Sequence, residues 1–187
     1  GKIYGIVGEN GIGKSTFLRK LSGLENEKGS HFSLFGKELS KKQRLAISAM
    51  VMQDVNQQLF GDSVEEEMEL GKTGKKRSLK ERSEGIIDKR ENEQNKLKPH
   101  HATKEELLNA LGLSALKDRH PMSLSGGQKQ RLALAATLYQ EAKLFFFDEP
   151  TSGMDQKNML RIASLLKSAI REDRIFFIVS HDYAFLQ

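Results

Sequence analysis

Gly8-Glu9-Asn10-Gly11-Ile12-Gly13-Lys14-Ser15-Thr16 decides how this chain is read. Gly8, Gly13, Lys14 and Ser15 satisfy the spacing G-x-x-x-x-G-K-[ST], and the apolar run Ile3-Tyr4-Gly5-Ile6-Val7 ahead of them predicts a buried strand. A strand, a glycine-rich turn and a helix in that order form a phosphate-binding loop. Glycine lets the backbone turn tightly and bring its N–H groups close to phosphate oxygens, while the opening helix adds unpaired N–H groups and a positive dipole end. Gly8, Asn10, Gly11, Gly13, Lys14, Ser15 and Thr16 are therefore the phosphate-binding candidates. Lys14 is placed to reach the β- and γ-phosphates, Ser15 to offer its hydroxyl to Mg²⁺, and Thr16 to make a further contact near the α-phosphate. On its own, the same stretch also reads as a glycine-rich strand-to-helix turn with a solvated Lys and Ser.

The remainder of the chain narrows the class. Its 187 residues suffice for one domain with a real core. It contains no cysteine, which excludes disulfides and thiolate zinc sites and suits a reducing compartment. No apolar run approaches the roughly 20 residues that span a bilayer. The net charge of +5 is local: residues 72–104 hold eleven Lys/Arg and five Asp/Glu, leaving 19 basic and 20 acidic residues elsewhere. That segment contains few large apolar residues and predicts a charged, flexible insertion. Its His100-His101 pair reads as an exposed pair or a metal ligand pair.

Hydrophobic patterning places the other elements. A helix is expected from Lys14 to about Leu21, an alternating half-buried strand over His31–Gly36, and a strand over Leu45–Met52 ending at Gln53. Asp62-Ser63 and Thr103-Lys104-Glu105-Glu106 are helix-start signals, and a further helix follows Ser125. Leu144–Phe147 and Ile175–Val179 read as buried parallel strands, and the helix beginning at Asp155 lies between them. Alternating strands and helices predict an α/β sheet with its chemistry at the carboxyl ends of the strands. The phosphate loop, Asp148 and His181 all fall at such ends.

Asp148-Glu149 follows a buried strand directly. Alone, such a pair is more often a turn or a helix cap. Joined to a phosphate loop, Asp148 can fix Mg²⁺ and Glu149 can orient or deprotonate an attacking water. Leu124-Ser125-Gly126-Gly127-Gln128 is the second anchor, with glycines at a predicted helix N-terminus where N–H groups face an anion.

Together these motifs, about 110 residues apart, resemble the phosphate loop and signature of the ATP-binding-cassette ATPases. The resemblance covers nearly the whole chain. It implies a P-loop NTPase fold, a mostly parallel sheet flanked by helices, with a helical subdomain over about residues 62–140 that carries the signature. By this resemblance Gln53 sits in the family's glutamine loop and contacts Mg²⁺ and the attacking water, and His181 is the switch histidine that holds the γ-phosphate. Ser152-Gly153-Met154-Asp155 looks like the dimer-contact loop. Two cassettes close head to tail in this family, so Ser125, Gly126 and Gly127 of one chain complete the site built on Lys14 of the other, and Gln128 and Asp155 are further nucleotide-binding candidates. The cofactors implied are ATP and Mg²⁺, and the partner is a second cassette ATPase, identical or homologous.

Gln53–Glu67 is similar to the ATPase subunits of energy-coupling-factor and cobalt-type importers, which take up vitamins or metal ions. That likeness implies a membrane importer subunit docking near Gln53–Gly61 and a peripheral place on the cytoplasmic face of the membrane. The chain departs from the family in three ways: it lacks the upstream strands with their adenine-stacking aromatic, it stops soon after His181, and it carries the basic insertion. A truncated cassette is the expectation, whose own activity stays open. A soluble cassette acting on the ribosome or on DNA is the alternative. No aromatic residues interleave with the charges of residues 72–104, so no nucleic acid partner is expected.

Overall fold

The computed structural model describes residues 1–70, 102–182 and Phe185. Strand β1 (Lys2–Ile6) leads through the phosphate loop into helix α1 (Lys14–Ser22), which Gly23 ends in a left-handed cap. A hairpin of β2 (Ser33–Leu34) and β3 (Lys37–Glu38) follows, then α2 (Lys41–Ile47), which runs directly into β4 (Ser48–Val51). Helices α3 (residues 64–70), α4 (Lys104–Ala110) and α5 (Gly126–Tyr139) come next among the described residues. Strand β5 (Leu144–Asp148), helix α6 (Gln156–Ser168) and strand β6 (Ile175–Val179) follow.

The four longer strands form one parallel sheet in the order β1-β6-β5-β4. This is the predicted α/β architecture. Central β5 is buried along its whole length, and its alternation divides the core in two. Phe145 and Phe147 stack with Phe176 on one face, beneath α5 and α6. Phe146 stacks with Phe177, and Phe177 with Tyr4, on the other face, where Leu18 of α1 packs. Burying each phenylalanine contributes about 1.5–3 kcal/mol, so this sheet is a stiff base for the loops at its carboxyl edge.

Three expectations change. The run Ile3–Val7 is not a buried strand: among the described residues β1 pairs only with β6, and Ile3 and Tyr4 are 38% and 44% exposed. Apolar composition marks a strand but does not supply a neighbour on its other side. Leu45–Ile47 belong to a helix rather than to the predicted strand. A capping box starts α2, with Ser40 Oγ accepting from the Gln43 N–H at 3.3 Å and Gln43 Oε1 accepting from the Ser40 N–H at 2.8 Å. The expected strand His31–Gly36 contracts to Ser33–Leu34, because Phe35 and Gly36 turn with φ of 49° and 76°. Ser63 and Thr103 cap their helices as predicted. The charged insertion, up to and including His100 and His101, lies outside the described residues.

Candidate active site

Gly11 and Gly13 adopt φ of 81° and 101°. A Cβ at either would meet nothing within 4 Å, so glycine is needed there for the backbone conformation and not for space. Gly13 is the N-cap of α1 and no side chain caps that end, which leaves helix N–H groups free for an anion. Lys14 Nζ donates to the carbonyls of Gly8 at 2.7 Å and Glu9 at 2.8 Å, so its ammonium lies folded across the loop.

Strands β5 and β6 deliver the acidic and imidazole groups. Asp148 ends β5, is 3% exposed, and has one buried carboxylate oxygen, Oδ1, without a hydrogen-bond partner among the described residues. Glu149 follows in the left-handed region with φ of 52°. Its N–H donates to the Val179 carbonyl at 3.0 Å, and its own carbonyl accepts from the Ser152 N–H at 3.1 Å and from Gln130 Nε2 at 3.3 Å. His181, just past β6, brings Nε2 to 3.1 Å from Glu149 Oε1, and its backbone N–H donates to Oε2 at 3.4 Å. The imidazole contact is a close approach rather than an aligned hydrogen bond.

Gln53 enters from the loop after β4. That loop is tied down locally: Gln58 Oε1 accepts from the Met52 N–H at 2.7 Å, and Asp54 caps the 3₁₀ turn Val55–Gln57. The Asn56 and Gln57 side chains, with the Asn56 N–H, hydrogen-bond the Asp54 carboxylate and hold its pKa below the usual value. Glu67 of α3 closes the loop's far end, its Oε2 accepting from the N–H groups of Phe60 and Gly61, both at 2.7 Å.

One cleft of about 340 Å³ gathers these pieces. It is lined by Asn10, Gly11, Gly13, Lys14, Ser15 and Thr16 from the loop and α1, with Gln53, Asp148, Glu149, Val179 and His181 around them. A hard divalent cation takes oxygen donors. The Ser15 hydroxyl and the unpartnered buried oxygen of Asp148 fit that demand.

Ser125, Gly126, Gly127, Gln128 and Asp155 do not line this cleft. Ser125 caps α5 through a capping box in which Gln128 Oε1 accepts from the Ser125 N–H at 2.9 Å. Asp155 caps α6, accepting from the Asn158 N–H at 2.8 Å. Three residues that sequence reasoning passed over support the site from behind: Gln130, Lys129, whose Nζ donates to Asn56 Oδ1 at 3.0 Å, and Glu67. The only signal was that Gln130 and Lys129 continue the signature into its helix.

The pattern described as ABC transporter matches residues 1–152. A Treponema denticola protein provisionally named an ABC transporter ATP-binding protein is 40% identical over all 187 residues, which are 33% of its own length. The energy-coupling factor transporter ATP-binding protein EcfA1 of Thermotoga maritima is 33% identical over 186 residues, 100% of this chain and 64% of that protein. Among solved structures, cbiO1 from Clostridium perfringens, part of the ABC transporter complex cbiONQ, superposes with a TM-score of 0.67 at 25% identity. That match covers 96% of this chain and 67% of cbiO1. The chain thus spans from a third to two thirds of the proteins it resembles. With a match over most of its length, a parallel sheet of the expected topology and the phosphate loop, carboxylates and histidine in one cleft, this chain belongs to the ABC transporter family of ATP-binding domains.

Proposed function

We propose that this protein binds MgATP in the cleft around Lys14 and hydrolyses it to drive a membrane importer of the energy-coupling-factor or cobalt type. The observation that carries the reading is the convergence of Lys14, Ser15, Gln53, Asp148, Glu149 and His181 on one space of about 340 Å³. Lys14 exchanges its two loop carbonyls for phosphate oxygens, and the N–H groups of the loop and of α1 hold the remaining ones. Ser15 and Asp148 would hold Mg²⁺, with Gln53 beside them, and an ion held there would supply charge neutralisation for the phosphates. Glu149 orients a water and takes its proton as the water oxygen bonds to the γ-phosphorus, while the bond to the β-phosphate oxygen breaks and ADP leaves with the electron pair. His181, on the same carboxylate, donates to the γ-phosphate.

The signature residues Ser125, Gly126, Gly127 and Gln128, together with Asp155, lie off the cleft and serve the facing site of a second cassette, identical or homologous. Ser125 to Gln128 stand at the start of α5, within the helical subdomain proposed over about residues 62–140. Phe60 is 77% exposed on the loop that Glu67 fixes, and supplies an apolar contact for a membrane subunit at Gln53–Gly61. A peripheral place on the cytoplasmic face is proposed from the likeness to EcfA1 and cbiO1; among the described residues no helix is long and apolar enough to cross a membrane. The likeness to EcfA1 and to cbiO1 supports an importer. Affinity purification of the tagged protein from detergent-solubilised cells, with mass spectrometry, tests this. A multispanning membrane protein and a second cassette are expected; ribosomal proteins or nucleic acid without a membrane protein would contradict it.

A further inference from the structure

We infer that Gln130 is a positioning residue for Glu149, holding the backbone of that residue so that its carboxylate faces the cleft. The inference rests on the proposed role of Glu149 in hydrolysis. Among the described residues only Phe35 and Glu149 are non-glycine with positive φ, and Phe35 sits in a hairpin turn. A left-handed non-glycine residue costs about 1–2 kcal/mol and persists only where its surroundings hold it.

The restraints on Glu149 are few and specific. Its N–H is fixed to β6 through the Val179 carbonyl. The next peptide offers no N–H, because residue 150 is proline, so that peptide can be anchored only through the Glu149 carbonyl. Ser152 reaches this carbonyl from within the same turn and moves with it. Gln130 reaches it from α5, a separate element, at 3.3 Å, and is itself only 6% exposed. A buried amide is costly unless it is hydrogen-bonded, and this one is bonded to the main chain of the proposed catalytic carboxylate. Lys129, one residue earlier, bonds Asn56 in the loop that carries Gln53. One turn of α5 therefore grips both the Glu149 turn and the Gln53 loop within a single chain.

Gln130→Met keeps length and volume but removes the donor. Single-turnover hydrolysis at saturating MgATP, with ATP affinity from a fluorescent analogue, should be measured for the wild type, Gln130→Met, Glu149→Gln and the double variant. The expected result is a loss in rate of about fivefold, the equivalent of one hydrogen bond, with ATP affinity unchanged within about twofold. In the Glu149→Gln background the same change should have no further effect, because Gln130 acts through the missing carboxylate. A wild-type rate for Gln130→Met, or the same loss in both backgrounds, would overturn the inference while leaving the proposed activity intact. An undiminished rate for Glu149→Gln alone would bring down the role of Glu149 and this inference with it. Gln130→Leu replaces Gln130→Met should the latter not fold.

Discussion

Lys14 spans its own loop through two short bonds to backbone carbonyls, and phosphate must displace them. In the proposed complex the ammonium exchanges these two carbonyl partners for phosphate oxygens, so part of its gain is offset by the bonds it gives up. Lys14→Met should abolish the thermal stabilisation that MgATP gives the wild type, which amounts to about 2.7 kcal/mol at a hundredfold excess over Kd. A differential scanning measurement with and without MgATP reads this directly. Asp148→Asn keeps shape but removes the charge beside the unpartnered oxygen. Titrating Mg²⁺ against turnover should show its half-maximal concentration raised by at least about tenfold, since ligand charge sets the affinity for hard cations. That Lys14, Ser15, Asp148 and Glu149 share one cleft could be expected from the sequence, because each stands in a contiguous motif of the kind that phosphate and metal chemistry asks for. The part of Gln130 could not, since it is one hydrogen bond to a backbone 19 residues further on.

Elements show where local signals compete. The run Leu45–Met52 is uniformly apolar enough for a strand, yet Ser40 and Gln43 start a helix that consumes its first three residues. Those two residues, S-x-x-Q, were in plain sight, and the capping box outweighs composition at this point. Strand β1 shows the opposite case: its pattern is right, and its exposure depends on neighbours that no local signal specifies. The loop Gln53–Gly61 is held by Glu67, and it is also tight. A Cβ on Gly61 would come within 2.7 Å of the Glu67 nitrogen and 3.0 Å of its Cα, both backbone atoms that cannot step aside cheaply. Gly61→Ala should therefore destabilise the fold by about 1–3 kcal/mol in urea unfolding, as overpacking does. In the sheet, Phe146→Ala removes a fully buried ring from the face covered by α1 and should cost about 3–5 kcal/mol.

At the scale of the molecule, the cleft and the N-terminus of the signature helix are separate surfaces, since Ser125 to Gln128 do not line the cleft. On the proposed reading a single chain would carry two halves of different sites, which head-to-tail pairing would join. Such a dimer should form with ATP and dissolve on hydrolysis, so Glu149→Gln with MgATP should elute at twice the mass in size-exclusion chromatography with light scattering. The same variant without nucleotide should remain a monomer. The parallel sheet and the placement of phosphate loop, Asp148 and His181 at its carboxyl edge were readable from alternating apolar runs, because a parallel strand buried on both faces admits few polar residues. The part proposed for Ser125 and Asp155 in a facing site comes from family resemblance alone, since within one chain they cap α5 and α6.

Catalysis of ATP hydrolysis by Glu149 in this cleft is tested most directly by steady-state phosphate release from the wild-type protein and from Glu149→Gln, with ATP binding measured on the same preparations. The expected result is a rate lower by about 10²–10⁴-fold with binding retained. A near-wild-type rate in a variant that binds ATP normally would contradict it.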